Sequence, residues 1–466
     1  MVSIFKLLIG ALSGLFLFSA FAPINFWPGA IVGLAGLFFA LKNEGFINRF
    51  FAGFICGSTF FLPLLHWSST YVGSLPWLIL GIGQALIFAL VGVLPIKSNL
   101  SGVISFSASF MAVEILRMKF PFGGFGWGRV GFTQVDSLSN LYPLISVTGI
   151  SLLVAFLGSL LIYSKRIFLF LILVLVSVFF LPQKIATTGT FSAVAVQGGV
   201  DKLGLDFNAR ALSVLKHHAE ETLKIDSQSE LVIWPENASD LDPILNKEAN
   251  RIIENVIRKI KRPLLIGAVE SRPTGPLNSS ILFNADGEIL SRYVKQDLAP
   301  FGEYIPLRPI SEAISKEAIG VRDFTAGKTW IRHQVNGTVF TSVICFEILD
   351  DDHIRNGAKG SEFLVAQTNN ATFGKSWQSS QQLQITRARA AELRKSFAVV
   401  STTGFTAQIS PNGSVVKKLE PLNAGLLPME IEKTEGSTPA SKLPSYLWLG
   451  IALGLILISR LRVFSR

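Results

Sequence analysis

The chain has 466 residues, 49% hydrophobic and only 16% charged, with a formal charge of +10 and two cysteines. Ordinary soluble domains carry roughly 25% charged residues, so part of this chain is built for lipid. Much of the positive charge sits in short loops between apolar runs, which speaks for membrane topology rather than nucleic acid, and two cysteines exclude a disulfide framework and a cysteine-rich metal site.

Apolar stretches of spanning or near-spanning length run at about 4–22, 27–42, 48–68, 75–96, 100–118, 140–163 and 167–183, with one more at 445–462. A cleaved signal peptide is not expected, because Pro23 follows Ala22 directly and further spans come at once. Lys6, Lys42, Arg49, Lys97, Lys165, Arg166, Arg460, Arg462 and Arg466 mark alternate loops as cytoplasmic, while the loop 68–76 carries no charge. The loop 117–136 departs from this pattern with Arg117, Lys119 and Arg129, and Lys119 and Arg129 are candidates to hold a phospholipid phosphate. Glu114 and Arg117 share a helix face at the end of the fifth stretch, either as a functional pair or as an interfacial pair with Arg117 snorkelling. The expected organisation is a seven-helix transmembrane domain over 1–184, an extracytoplasmic domain over 190–434, a linker over 435–444, and a final span with a basic cytoplasmic tail over 445–466.

The segment 190–434 reads as α/β. Strand-like runs occur at 191–196, 230–234, 263–269, 338–345, 363–367 and 397–401, with helical patterns at 207–225, 243–261 and 379–395. Several of these runs are almost wholly apolar, as in strands covered on both faces. Asp286-Gly287 and Pro411-Asn412-Gly413 mark hairpins.

Three short motifs follow apolar runs: Trp234-Pro235-Glu236, Lys295 in Tyr293-Val294-Lys295-Gln296, and Cys345 in Ile344-Cys345-Phe346-Glu347. All three can gather at one sheet edge. Thiol catalysis needs a thiolate, a base for its proton and a donor for the oxyanion. Cys345, Glu236 and Lys295 fit those roles, with Glu347 or Glu303 placed to orient Lys295 through a charge-assisted hydrogen bond. Alone, such a glutamate is usually a turn residue, such a lysine solvated and such a cysteine inert core. Their order and spacing make the set far more specific. His217-His218 reads as a solvated helix surface rather than a metal site, and Asp350-Asp351-Asp352-His353 as a charged turn.

The order Glu, Lys, Cys in these contexts resembles the carbon–nitrogen hydrolase (nitrilase) superfamily. Within it, Pro300-Phe301-Gly302-Glu303-Tyr304-Ile305-Pro306, Ile344-Cys345-Phe346-Glu347-Ile348, Phe373-Gly374-Lys375-Ser376, Phe125-Gly126-Trp127 and Val130-Gly131-Phe132-Thr133-Gln134 resemble the apolipoprotein N-acyltransferase family over essentially the whole chain. Asn370, Thr372 and Ser379 stand where that family usually has Asp, Trp and His.

The resemblance implies an α-β-β-α sandwich domain joined to about eight transmembrane helices. It implies a catalytic triad of Glu236, Lys295 and Cys345, supported by Glu303 and Glu347, with Trp234, Phe346, Tyr304 and Arg129 as candidate substrate contacts. The implied reaction moves an acyl chain from the sn-1 position of a membrane phospholipid, through a thioester on Cys345, to the N-terminal diacylglyceryl-cysteine of an apolipoprotein. No metal or organic cofactor is implied, and no nucleic-acid partner. The expected setting is the bacterial cytoplasmic membrane, as a monomer with its catalytic domain outside. The apolar residues Phe301, Tyr304, Ile305 and Leu307 either dip into the outer leaflet or pack within a long loop. The rival readings are a membrane-tethered amidase and a non-catalytic lipid-binding protein.

Overall fold

A computed structural model describes residues 3–179, 186–200, 203–204, 212–314 and 316–461. The far end of the seventh apolar stretch, the start of the 207–225 helix, Arg462 and Arg466 lie outside these residues. The chain divides into two compact units. One comprises Met1–Ser69, Gly73–Lys184 and Thr438–Arg466; the other comprises Thr70–Val72 and Ile185–Ser437.

The first unit is helical. Four of its helices are long and apolar enough to cross a membrane: Phe46–Leu64, Ser74–Gly92, Leu100–Lys119 and Tyr142–Tyr163. Ile4–Ser19, Pro28–Leu41 and Ser445–Arg460 are apolar but shorter, and Lys165–Phe179 is a further apolar helix. Each of these eight helices falls on an expected stretch. Their faces meet where glycine removes bulk: a Cβ on Gly14 would stand 2.2 Å from the Cys56 carbonyl oxygen, and one on Gly57 2.9 Å from the Ala85 Cα.

Two buried charged groups inside this unit are held by hydrogen bonds. The Arg117 guanidinium donates to Gln84 Oε1 at 2.7 Å and to the Trp127 carbonyl at 2.7 Å, over the Phe61 ring. Arg117 is thus buried and does not snorkel outward. Glu114 accepts from the Val130 N–H at 2.7 Å.

Among the described residues the second unit is a two-sheet sandwich of twelve strands: β1 (Thr187–Gln197), β2 (Leu231–Ile233), β3 (Leu264–Glu270), β4 (Leu277–Phe283), β5 (Ile289–Val294), β6 (His333–Val335), β7 (Thr338–Ile344), β8 (Phe363–Thr368), β9 (Phe397–Ser401), β10 (Thr406–Ile409), β11 (Val415–Leu419) and β12 (Gly425–Thr434). One sheet has the order β12-β1-β2-β3-β4-β5 and the other β11-β10-β9-β8-β7-β6. Both carry a parallel centre, β1-β2-β3 and β7-β8-β9. The two sequence-marked hairpins join β4 to β5 and β10 to β11.

Side-chain alternation builds the layers. Ala193, Ala195, Leu231 and Ile233 face Phe340, Phe363, Val365 and Val400 in the space between the sheets. Val196, Val232 and Trp234, one residue out of phase, pack against Leu215 of helix Ser213–Thr222 and against Ile253 and Ile257 of helix Lys247–Ile260. His218 belongs to this buried layer rather than to a solvated surface. Its Nδ1 lies 2.7 Å from the Val214 carbonyl and its ring packs against Trp234. Residues 350–353 start a helix, Asp351–Ala358, which Asp350 caps by accepting from the His353 N–H at 2.8 Å.

Topology decides what meets at the sheet edge. β2, β3 and β5 run the same way, because β4 is antiparallel to both of its neighbours. The residues after β2 and β5 and the first residues of β4 therefore share one edge.

Candidate active site

Glu236 follows β2, Lys295 follows β5 and Cys345 follows β7. Lys295 is the centre of the polar cluster. Its ammonium lies 2.8 Å from Glu303 Oε2 and 3.4 Å from Glu236 Oε1. Asn278, the second residue of β4, bridges the two carboxylates: its amide donates to Glu236 Oε1 and to Glu303 Oε1, both at 2.8 Å. The Asn369 N–H donates to Glu236 Oε2 and the Ala299 N–H to Glu303 Oε2, each at 2.8 Å. Pro235 and Glu236 lie so close to β3 that a side chain at Gly267 would stand 2.2 Å from the Pro235 carbonyl oxygen.

Two acids around one ammonium leave the cluster with a net negative charge, and burial amplifies its effect. Burial pushes the Glu236 carboxyl up; Lys295 opposes this, Glu303 adds to it, and the net direction is upward. Burial alone would lower Lys295, but Glu303 and Glu236 outweigh it and hold the ammonium above its ordinary value. The Cys345 thiol is pushed up by burial and by Glu236, against the pull of Lys295. A raised Glu236 is the better proton acceptor, while the raised thiol is the weaker acid, so the two shifts oppose each other in any transfer between them.

Cys345 is half-buried and sits at φ +51°, a left-handed conformation that a non-glycine residue adopts only when its surroundings impose it. The next residues form a short helical turn, Cys345–Leu349. Glu347 locks that turn: its Oε2 accepts from the Ile344 N–H at 2.7 Å, and its Oε1 accepts from the Tyr293 hydroxyl at 2.7 Å and the Gln296 N–H at 2.8 Å. His353 Nε2 lies 3.2 Å from the same oxygen. Although burial opposes it, the His353 bond and charge and the Ile344 N–H hold the Glu347 carboxyl below its ordinary value. Its bonds thus go to the segments flanking Lys295 and Cys345, not to the Lys295 ammonium as the sequence had suggested. The far end of the turn is held by Arg389, buried in helix Gln378–Leu393, which donates to the Ile348 carbonyl at 2.8 Å and the Leu349 carbonyl at 2.9 Å.

The four candidate substrate contacts fare differently. Phe346 and Tyr304 are partly exposed, beside Cys345 and Glu303 respectively. Trp234 is wholly buried, its indole N–H donating to Thr222 Oγ1 at 2.8 Å, so it packs the outer layer and offers no surface to a substrate. Arg129 lies in the helical unit, 1% exposed, with Nη2 bonded to Thr148 Oγ1 at 2.6 Å and its guanidinium over Phe132. Those bonds make it a buried packing residue rather than an open phosphate ligand. Within the long loop, Phe301 and Leu307 are more than half exposed, whereas Ile305 is buried. Beside Asn370, a cavity of about 300 Å³ is lined by residues that include Phe373, Lys375, Ser379, Thr403 and Leu422.

The sequence did not point to Asn278 or Gln382, and it marked Asn370 only as a departure from the family motif. Gln382 Nε2 lies 3.7 Å from Cys345 Sγ. The available signal for Asn278 was a polar interruption, Asn278-Ser279-Ser280, in an otherwise apolar strand.

Profiles of two known families match the two parts of the chain. The profile of the apolipoprotein N-acyltransferase N-terminal domain matches residues 13–160, and that of the carbon-nitrogen hydrolases matches residues 195–439. An apolipoprotein N-acyltransferase of Mycolicibacterium smegmatis is 31% identical, covering 92% of this chain and 80% of its own. Enzymes of the same name from Wigglesworthia glossinidia brevipalpis and Haemophilus influenzae are 28% and 26% identical, covering 91% and 99% of this chain and 91% and 96% of theirs. Among solved structures, a carbon-nitrogen hydrolase superfamily protein from Xanthomonas campestris aligns with 52% of this chain and 91% of its own, at 16% identity and a TM-score of 0.42.

Proposed function

The chain belongs to the apolipoprotein N-acyltransferase family, and from that premise we propose how its residues carry the reaction. It is a bacterial membrane N-acyltransferase of lipoprotein maturation, with lipid and lipoprotein substrates. The observation that supports a thiol mechanism is the placement of a left-handed Cys345 together with a Lys295 ammonium held between Glu236 and Glu303.

In the first half-reaction the Cys345 proton passes to Glu236 and the thiolate adds to the sn-1 ester carbonyl of a phospholipid. Lys295 stabilises the negative oxygen of the tetrahedral adduct. As the adduct collapses, the ester C–O bond breaks and Glu236 returns its proton to the departing lysophospholipid oxygen, leaving a thioester on Cys345. In the second half-reaction the α-amine of a diacylglyceryl-cysteine adds to the thioester carbonyl. Glu236 takes the amine proton, the C–S bond breaks, and Glu236 returns that proton to the departing Cys345 sulfur, so that the amide product leaves and the thiol is restored. The two half-reactions share one site, so the kinetics are ping-pong.

Acyl substrates are costly to move through water, at ~0.8 kcal/mol per CH₂. The exposed Phe301 and Leu307 supply an apolar rim to which chains can pass from the outer leaflet. The charge pattern of the loops supports a cytoplasmic membrane location with this unit on the outer side, and we take the enzyme to be a monomer. The deciding experiment is mass spectrometry of the intact protein after incubation with phospholipid alone. One acyl chain should appear on Cys345 and leave when the acceptor is added, and Cys345→Ala should acquire none. Turnover without any adduct, or with the adduct on another residue, would overturn the reading; hydrolysis in place of transfer would make it an amidase.

A further inference from the structure

We propose that Gln382 presents its amide N–H to the Cys345 sulfur, and that Asn370 sets this polarity through a hydrogen-bond relay that begins at the Gly404 backbone. The proposal rests on the reading of Cys345 as the nucleophile. Gln382 touches the reacting sulfur; Asn370 acts through it and is a positioning residue.

The bonds run in one direction, each donor passing to the next acceptor. The Gly404 N–H is a donor only, and it points at Ser401 Oγ at 2.8 Å. Ser401 has one hydroxyl proton, and that goes to Asn370 Oδ1 at 2.6 Å. Thr368 Oγ1 gives a second hydrogen bond to the same oxygen at 3.2 Å. With its oxygen engaged, Asn370 must turn its NH₂ the other way, where it donates to Gln378 Oε1 and, at 2.8 Å, to Gln382 Oε1. Gln378 Nε2 adds a longer contact, 3.4 Å, to the same Gln382 oxygen. Gln382 therefore has its oxygen taken, and only its NH₂ remains to face Cys345 Sγ at 3.7 Å, within the longer range usual for sulfur. Asn370, Gln378, Gln382 and Ser401 are all buried, which strengthens these bonds.

The relay also accounts for two residue choices. A carboxylate at position 370 has no N–H to give, so Asp in place of Asn370 would draw the Gln382 NH₂ towards itself and turn the amide oxygen to the sulfur. A side chain at Gly404 would stand 2.2 Å from Asn370 Oδ1 and push the relay apart. Around the sulfur, burial and Glu236 disfavour the thiolate, while Lys295 and the Gln382 bond favour it.

The test is the pH dependence of Cys345 alkylation by iodoacetamide, followed on the Cys345 peptide by mass spectrometry in the full-length protein in detergent. Gln382→Met should raise the alkylation midpoint by about one pH unit, a tenfold smaller thiolate fraction at fixed pH. Asn370→Asp should shift it the same way, and the double variant no further than the larger single shift, because both changes remove one bond. Gln382→Glu keeps the shape and the acceptor for Asn370 but loses the donor, and should shift the midpoint upward if Gln382→Met fails to fold. An unchanged midpoint in folded variants, or shifts that add in the double variant, would overturn the relay. Because the readout is alkylation, it is independent of the acyl adduct: a shifted midpoint in a protein that never forms a thioester keeps the relay and sinks the nucleophile reading.

Discussion

One amide nitrogen keeps two carboxylates in place. Asn278 gives its two protons to Glu236 and Glu303, which flank the same ammonium. Without it, each carboxylate loses a bond in a buried site, and the two negative groups can drift to different distances from Lys295. Hydrogen bonds to charged groups contribute about 1.5–3 kcal/mol. Asn278→Leu should therefore lower kcat/KM by roughly 10- to 100-fold with the fold retained. A loss below about threefold would show that backbone N–H groups and Lys295 suffice. Of the three residues proposed as a triad, Glu236 and Cys345 were legible because they follow the apolar runs of β2 and β7, whereas Lys295 follows a strand interrupted by Ser291 and Arg292. Asn278 and Gln382 were not legible, because each reaches the site from an element whose local pattern says nothing of chemistry, the start of a strand and one turn of a helix; Asn370 stood out only as a departure from the family motif, with no sign of what it bonds. The same holds for the conformation of Cys345, since no residue pattern announces a left-handed cysteine.

At the scale of elements, the nucleophile turn is pinned at both ends. Glu347 collects the Ile344, Gln296 and Tyr293 donors at its start, and Arg389 takes the Ile348 and Leu349 carbonyls at its finish. Glu347→Ala would leave three donors unpaired, each costing about 1–3 kcal/mol where buried. The variant should melt well below the parent and lose activity, while Glu347→Gln, which keeps one acceptor oxygen, should lose less of both. Equal melting of parent and alanine variant would show that the turn holds itself. Strand legibility follows the same physics. The wholly buried β8 and β9, the mostly buried β3 and β7 and the buried second half of β1 read as apolar runs. β4, with Asn278, Ser279 and Ser280 buried at the site edge, and the exposed β11 broke the pattern and were marked only by their turns.

At the scale of the molecule, the composition reads through directly, because lipid imposes long apolar segments on the sequence and all eight helices follow them. Acid stability is a property the sequence did not suggest. Burial lowers His218 to about 4 and His333 to about 3, against 6.5 when free. Between pH 6.5 and 4 the unfolded chain binds these protons and the folded chain does not, so stability falls as pH falls, by on the order of 3 kcal/mol per histidine at the end of that window. His353 works in the opposite sense: burial alone would lower it, but Glu347 holds it above its ordinary value, so its contribution is lost as pH rises. The protein in detergent should melt at a lower temperature at pH 5 than at pH 7, and His218→Gln should narrow that gap. A gap that is absent, or unchanged in the variant, would refute this assignment.

The pairing of the first and last strands carries a consequence for how such a chain can be assembled. Thr187 opposes Thr434 in the β1–β12 ladder, so the sandwich begins and ends at neighbouring points, about 5 Å apart. To the rest of the polypeptide it is a very large hairpin loop. Synthesis must therefore reach β12 before the sheet that holds Glu236 has its outer strand.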